Sequence, residues 1–192
     1  MSARLPDPGP VRGEITREIL KYRHLLAPPV LEAGALRPSA AWWRDMRTQF
    51  GYTPDEWVGT DIEAGTGVDV VADLCSWVCR LPAHTYGSVL CAETLEHVAD
   101  PRLALLNLRL AMLSGAWIIV TMPFAFAVHD YPDDYWRFAP SGMEMMLEDA
   151  GFVDVEAHGF NEFLMVLKDH DNSAPAADRW VPMHVFGRGR RP

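Results

Sequence analysis

Residues 87–122, GSVLCAETLEHVADPRLALLNLRLAMLSGAWIIVTM, carry the pattern that decides the fold. Gly87 to Ala92 is a short apolar run and reads as a buried strand. It passes into the polar stretch Glu93-Thr94-Leu95-Glu96-His97. Asp100 then stands as a helix N-cap, with Pro101 at the first helical position. Leu103, Leu106, Leu110 and Leu113 follow at spacings of three, four and three, which predicts one apolar stripe, and Gly115 closes the helix. Ala116 to Met122 is apolar at every position but Thr121, as expected of a central strand covered on both faces. A strand, a helix and a second buried strand in one unit predict parallel pairing.

The same alternation extends both ways. Upstream, Ile15, Ile19, Tyr22 and Leu26 make the stripe of a helix over Gly13 to Leu26, within an N-terminal segment 13–27 that Pro28 and Pro29 stop. Val30 to Ala35 reads as a strand and turn, and Ser39 to Phe50 as a helix with Gly51 behind it. Trp57 to Ile62 and Val68 to Leu74 read as strands ending near Asp61 and Asp73. Downstream, Ser141 and Glu144 are spaced as a capping box, opening a helix whose face is Met143, Met146, Leu147 and Ala150 and whose end is Gly151. Val153 to His158 and Glu162 to Leu167 read as two strands of a hairpin turning at Gly159. The expected fold is α/β: a Rossmann-like, doubly wound, mostly parallel sheet with an antiparallel C-terminal hairpin strand, in one domain over 1–168.

Residues 169–192 differ in character. A polar, proline-bearing stretch leads to Trp180–Phe186, apolar with a period of two at Val181, Met183 and Val185, and then to Arg188, Arg190 and Arg191. A solvated tail is the default reading. An arm adding a strand to a partner subunit, giving a homodimer, and a weak anion contact are the alternatives.

The 192 residues suit one domain with a full core, and 49% apolar against 22% charged residues is globular composition. A net charge of −9 argues against nucleic acid and anionic membrane as partners. The first ten residues hold no apolar signal core, and the stretch Ala116–Val128 is too short and interrupted to span a bilayer. Three cysteines, Cys75, Cys79 and Cys91, form no disulfide framework and suit a reducing cytoplasm. Cys75 and Cys79 with His84 lack the spacing of a zinc site, so buried thiols and no metal are expected.

Ligands of open α/β sheets lie beyond the carboxyl ends of the strands. Glu32 and Gly34 end the first strand, Asp61 the second, Asp73 the third, and Ala92, Glu93 and Leu95 the fourth. Asp61, roughly 30 residues after the first turn, stands where a carboxylate takes ribose hydroxyls. Each acid alone is equally readable as a helix cap or a solvated side chain. Their coincidence at successive strand ends favours a nucleoside site.

On these residues the chain resembles the class I S-adenosylmethionine-dependent methyltransferases, in particular the type 11 methyltransferase domain group. The resemblance covers about Val30 to Leu167, through VLEAGA (30–35), VGTDIE (58–63), VDVVADL (68–74), SVLCAETLEHVADP (88–101), WIIVTMPF (117–124) and HDYPDDYWRFAPSGMEMMLEDAGF (129–152). It implies S-adenosyl-L-methionine as cofactor, held by Glu32, Gly34, Asp61 and Asp73 and around Ala92 and Glu93, with Ile62 and Leu74 beside the acids. The first loop departs from the family pattern, holding one glycine in Glu32-Ala33-Gly34-Ala35-Leu36-Arg37-Pro38 where two or three are usual.

Methyl transfer from a sulfonium needs alignment, and a base only when the acceptor must lose a proton. His129 is the candidate base, with Tyr131, Tyr135, Trp136 and Arg137 as candidate acceptor walls. The structural reading of the same loop has Arg137 paired with Asp133 or Asp134 and His129 as a hydrogen-bonded loop residue. The expected activity is methyl transfer to a hydroxyl, amine or carboxylate of a small molecule or glycan. A nucleic-acid methyltransferase and a non-catalytic binding or assembly protein of the same fold are the alternatives.

Overall fold

The computed structural model describes residues 9–37, 46–129, 133–167 and 177–192. Its strands are β1 (Val30–Ala33), β2 (Trp57–Asp61), β3 (Val70–Val71), β4 (Tyr86–Ala92), β5 (Met112–Pro123), β6 (Val153–Leu167) and β7 (Ala177–Arg190). Its α-helices are α1 (Gly9–Lys21), α2 (Met46–Phe50), α3 (Pro101–Ala111) and α4 (Pro140–Asp149). The strands form one sheet in the order β3-β2-β1-β4-β5-β7-β6. β1 to β5 pair in parallel; β7 runs antiparallel to both β5 and β6. The predicted mostly parallel, doubly wound sheet is present.

Side-chain alternation sends successive residues to opposite faces. Leu31, Val89, Cys91, Ile118 and Val120 meet Leu105 and Leu108 of α3 and Met143 and Leu147 of α4. Val30, Leu90, Ile119 and Phe186 meet Ile15 and Ile19 of α1 and Phe50 of α2. Two cores of this kind require helices on both faces of the sheet.

Several sequence expectations are corrected. The helix α3 buries Ala104, Leu105, Leu108 and Ala111, whereas Leu106, Leu110 and Leu113 of the expected stripe are exposed. Leucines surround this helix, and the exposed Arg102 four residues before Leu106 marks the solvent side. The first helix ends at Lys21, although Tyr22 and Leu26 still pack in the core. β3 is reduced to two residues. The capping box at Ser141 is not made: α4 starts at Pro140 with Ala139 as N-cap, and Glu144 accepts instead from the Ala157 amide at 3.1 Å. Of the expected helix 39–50, residues 39–45 lie outside the described residues.

The largest correction concerns the C-terminus. Residues 153–167 are one strand, not a hairpin. Gly159 is not a turn; it pairs with Val185, and a Cβ on it would lie 2.5 Å from the Pro182 ring. The antiparallel partner is 177–190, the segment read as a tail or arm. It lies inside the sheet, so its backbone is already paired and offers no strand to a partner subunit. Its arginines are committed as well. Arg188 pairs with Glu156 at 2.7 Å, Arg190 with Asp154 at 2.6 Å, and Arg191 donates to the Leu110 and Met112 carbonyls, which corrects the anion-contact reading. Among the described residues, no helix is long and apolar enough to cross a membrane.

Candidate functional site

The carboxyl ends of β1, β2, β3 and β4 form one rim. Gly34 leaves β1 with φ +71°, a conformation that favours glycine. A Cβ there would lie 2.2 Å from Thr94 Oγ1, so the close approach it permits is that of a protein side chain. The Thr94 hydroxyl in turn lies 3.1 Å from the Ala33 carbonyl and 3.0 Å from the Ala92 carbonyl, tying β1 to β4. Glu32 is buried and accepts from Trp57 Nε1 at 2.7 Å and Arg37 Nη2 at 3.1 Å.

Asp61 faces the first loop. Its Oδ2 accepts from the Leu36 amide at 3.0 Å and its Oδ1 from the Glu63 amide at 3.3 Å. A carboxylate has about four acceptor sites, so about two remain beyond these amides. Beside it a shallow recess of about 300 Å³ is lined by Ile62, Val71, Ala72, Asp73 and Val78 among others. Ile62 and Asp73 are thus brought together. Leu74 is not with them; its side chain is buried in the core, and its carbonyl accepts from Asn107 Nδ2 at 2.8 Å. Asn107 also donates to the Ser76 carbonyl at 2.9 Å, so α3 holds the loop behind the recess.

At the end of β4, Ala92 packs into the core and Glu93 takes a positive φ of 49°. The Glu93 carboxylate lies 3.6 Å from Nε2 of His184, a buried residue of β7. Burial pushes the His184 pKa down to about 4. Glu96, in a single 3-10 turn over Leu95–His97, is fully buried, and neither of its carboxylate oxygens has a hydrogen-bond partner. Burial, and then the Glu93 charge, hold its carboxyl well above the usual range.

His129 stands on the acceptor side. Its amide donates to Asp134 Oδ2 at 2.8 Å, and its Nδ1 lies 3.2 Å from the same oxygen and 3.3 Å from the Ala127 carbonyl. Both neighbours only accept, so Nδ1 carries the proton and Nε2 a lone pair. His97 is set the same way, with Nδ1 2.6 Å from the Asp133 carbonyl. The two rings meet edge to face, 4.9 Å between centroids.

Arg137 forks onto Asp134 at 2.5 and 2.7 Å, and that hydrogen-bonded pairing holds the Asp134 carboxyl well below the usual range. Its guanidinium is therefore engaged by the protein, as the structural reading expects. Tyr135 is tied to Asp133 through its hydroxyl at 2.5 Å and to the Glu96 carbonyl through its amide at 2.7 Å. Trp136 donates to the Val98 carbonyl at 2.9 Å and lines a second recess with Asp100, Pro101 and Phe138, of which His129 is not a part. Tyr131 lies outside the described residues.

Thr94, Thr121 and His184 went unassigned in the sequence, and Asp134 is named there only as a candidate partner of Arg137. Thr121 and His184 are buried, each with an unpartnered polar side-chain atom beneath the rim. His184 sits in the apolar alternation of 180–186, and the polar member of a buried strand is the signal that marks it.

No protein-family model matches the sequence, and no curated protein is significantly similar to it. Solved structures do match. A SAM-dependent methyltransferase from Archaeoglobus fulgidus superposes with a TM-score of 0.64 at 17% identity, over 92% of this chain and 93% of that one. A SAM-dependent methyltransferase from Thermotoga maritima gives a TM-score of 0.60 at 16% identity, over 95% and 91%. Phosphoethanolamine N-methyltransferase 2 of Haemonchus contortus, in complex with S-adenosyl-L-methionine, gives 0.58 at 13% identity, over 93% of this chain and 52% of that one. The chain has the fold of the class I S-adenosylmethionine-dependent methyltransferases.

Proposed function

We propose that this chain binds S-adenosyl-L-methionine along the rim and transfers its methyl group to a small-molecule or glycan acceptor. The observation that carries the reading is Asp61. Its carboxylate holds the Leu36 amide of the first loop and the Glu63 amide, with acceptor capacity beyond these two partners, and the next residue, Ile62, lines the recess with Asp73. In this reading Asp61 takes the ribose hydroxyls, and Ile62 and Asp73 receive the adenine. Glu32, Gly34, Ala92 and Glu93 floor the amino-acid end, and Leu74 supports the recess from the core.

The donor sulfonium is already activated, so the protein's work is alignment and exclusion of water. His129, its tautomer fixed by Asp134, offers the Nε2 lone pair to an acceptor that must lose a proton. Arg137 orients Asp134, and Tyr135 and Trp136 border the acceptor's path.

One observation favours the non-catalytic alternative. Glu32 is tied to Arg37 and Trp57, and Thr94 packs on Gly34, so the glycine-poor first loop closes partly on the protein itself. Thermal unfolding with S-adenosylhomocysteine separates the two. A ligand at 100 times its dissociation constant stabilises by about 2.7 kcal/mol, or about 5–10 °C here. That rise is expected for the wild type and is expected to be lost in Asp61→Ala. No rise at millimolar ligand favours the non-catalytic alternative.

A further inference from the structure

Three groups that can ligate a metal converge after β4. One ring nitrogen of His97, one of His129 and one carboxylate oxygen of Glu96 lie within 4.8 Å of one another. In both histidines Nδ1 is committed to an oxygen acceptor, which leaves Nε2 as the lone pair. His97 Nε2 is 3.7 Å from Glu96 Oε1, too far for a hydrogen bond. Glu96 is 0% exposed, and both of its oxygens lack a partner. A fully buried carboxyl group without a hydrogen-bond partner is costly. A cation relieves that cost.

We propose that Glu96, His97 and His129 bind one divalent first-row transition-metal ion. Two imidazoles and a carboxylate suit zinc, iron, cobalt or manganese rather than calcium or magnesium, which prefer all-oxygen shells. The second shell such a site needs is built. The Asp133 carbonyl orients His97, and the Asp134 carboxylate, itself clamped by Arg137, orients His129. Metal–ligand bonds of about 2.0–2.2 Å would set the donor atoms roughly 3.3–3.6 Å apart, inside the 4.8 Å within which they now stand. His129 is exposed enough to admit an ion from solvent, with a side-chain accessibility of 31%.

Three protein ligands leave coordination positions open. Because the turn follows β4 on the proposed cofactor rim, those positions suit an oxygen of the methyl acceptor, with His129 acting as ligand rather than base. This last clause rests on the methyl-transfer reading; ion binding itself does not.

The test is titration of chelator-treated full-length protein with cobalt(II), followed by its visible d–d absorption, with S-adenosylhomocysteine affinity measured on the same samples. One equivalent of cobalt per chain is expected. Glu96→Gln, nearly isosteric, and His129→Asn are each expected to weaken cobalt binding about 100-fold or more while leaving the unfolding transition cooperative. The second variant decides the matter if the first does not fold. No cobalt uptake by the wild type, or uptake by both variants at wild-type affinity, overturns the site. Cobalt binding without nucleoside binding keeps the site and removes the methyl donor; nucleoside binding without cobalt does the reverse.

Discussion

His184 is 1% exposed, its Nδ1 has no partner, and Glu93 faces its Nε2 at 3.6 Å. Its folded pKa, near 4, lies below the unfolded value of about 6.5, so on acidification the unfolded chain takes the proton first. The stability carried by the neutral ring is complete above about pH 6.5 and is lost as pH falls toward 4, up to about 3 kcal/mol in all. Urea unfolding between pH 7.5 and 5 is expected to show a falling midpoint in the wild type and a flatter profile in His184→Gln. Equal slopes would mean that the ring is not buried neutral. At this scale the sequence was partly legible. Asp61 and Asp73 were picked out as candidates because strand ends are regular places. Glu96 was not, because its meaning depends on His129, 33 positions away and brought near only by the β4–β5 crossover.

β7 shows what period and composition convey about an element. The alternation of Val181, Met183 and Val185 was read, but its partner strands were not, because a polar stretch before it and arginines after it resemble a solvated terminus. The structure inverts that picture. β7 is paired on both sides, and its Gly187 lies where a Cβ would come within 2.5 Å of Met143, so α4 packs directly on the strand. Truncation after residue 176 would strip both β5 and β6 of a partner and expose Ile118, Val120 and Phe160. Loss of the cooperative unfolding transition and aggregation on size exclusion are expected. A folded, monomeric truncation would show that the strand is dispensable. In α3 the failure was different: a helix with leucines on all sides offers two apolar stripes, and only the exposed Arg102 tells which one faces water.

For the whole molecule, strand–helix alternation made the parallel half of the sheet legible, since each β–α–β unit fixes its own handedness and neighbours. The antiparallel half was less so, because its pairing is set by long-range contacts that no local signal encodes. The sheet brings four strand ends to one rim, and the account of function depends on a nucleoside lying there. Co-crystallisation of the full chain with S-adenosylhomocysteine tests this most directly. The account predicts ribose hydroxyls about 2.6–3.0 Å from the Asp61 carboxylate, with adenine in the recess of Ile62 and Asp73. A complex in which the nucleoside lies elsewhere, or crystals grown at saturating ligand with Arg37 and Thr94 filling the rim and no nucleoside bound, would contradict it.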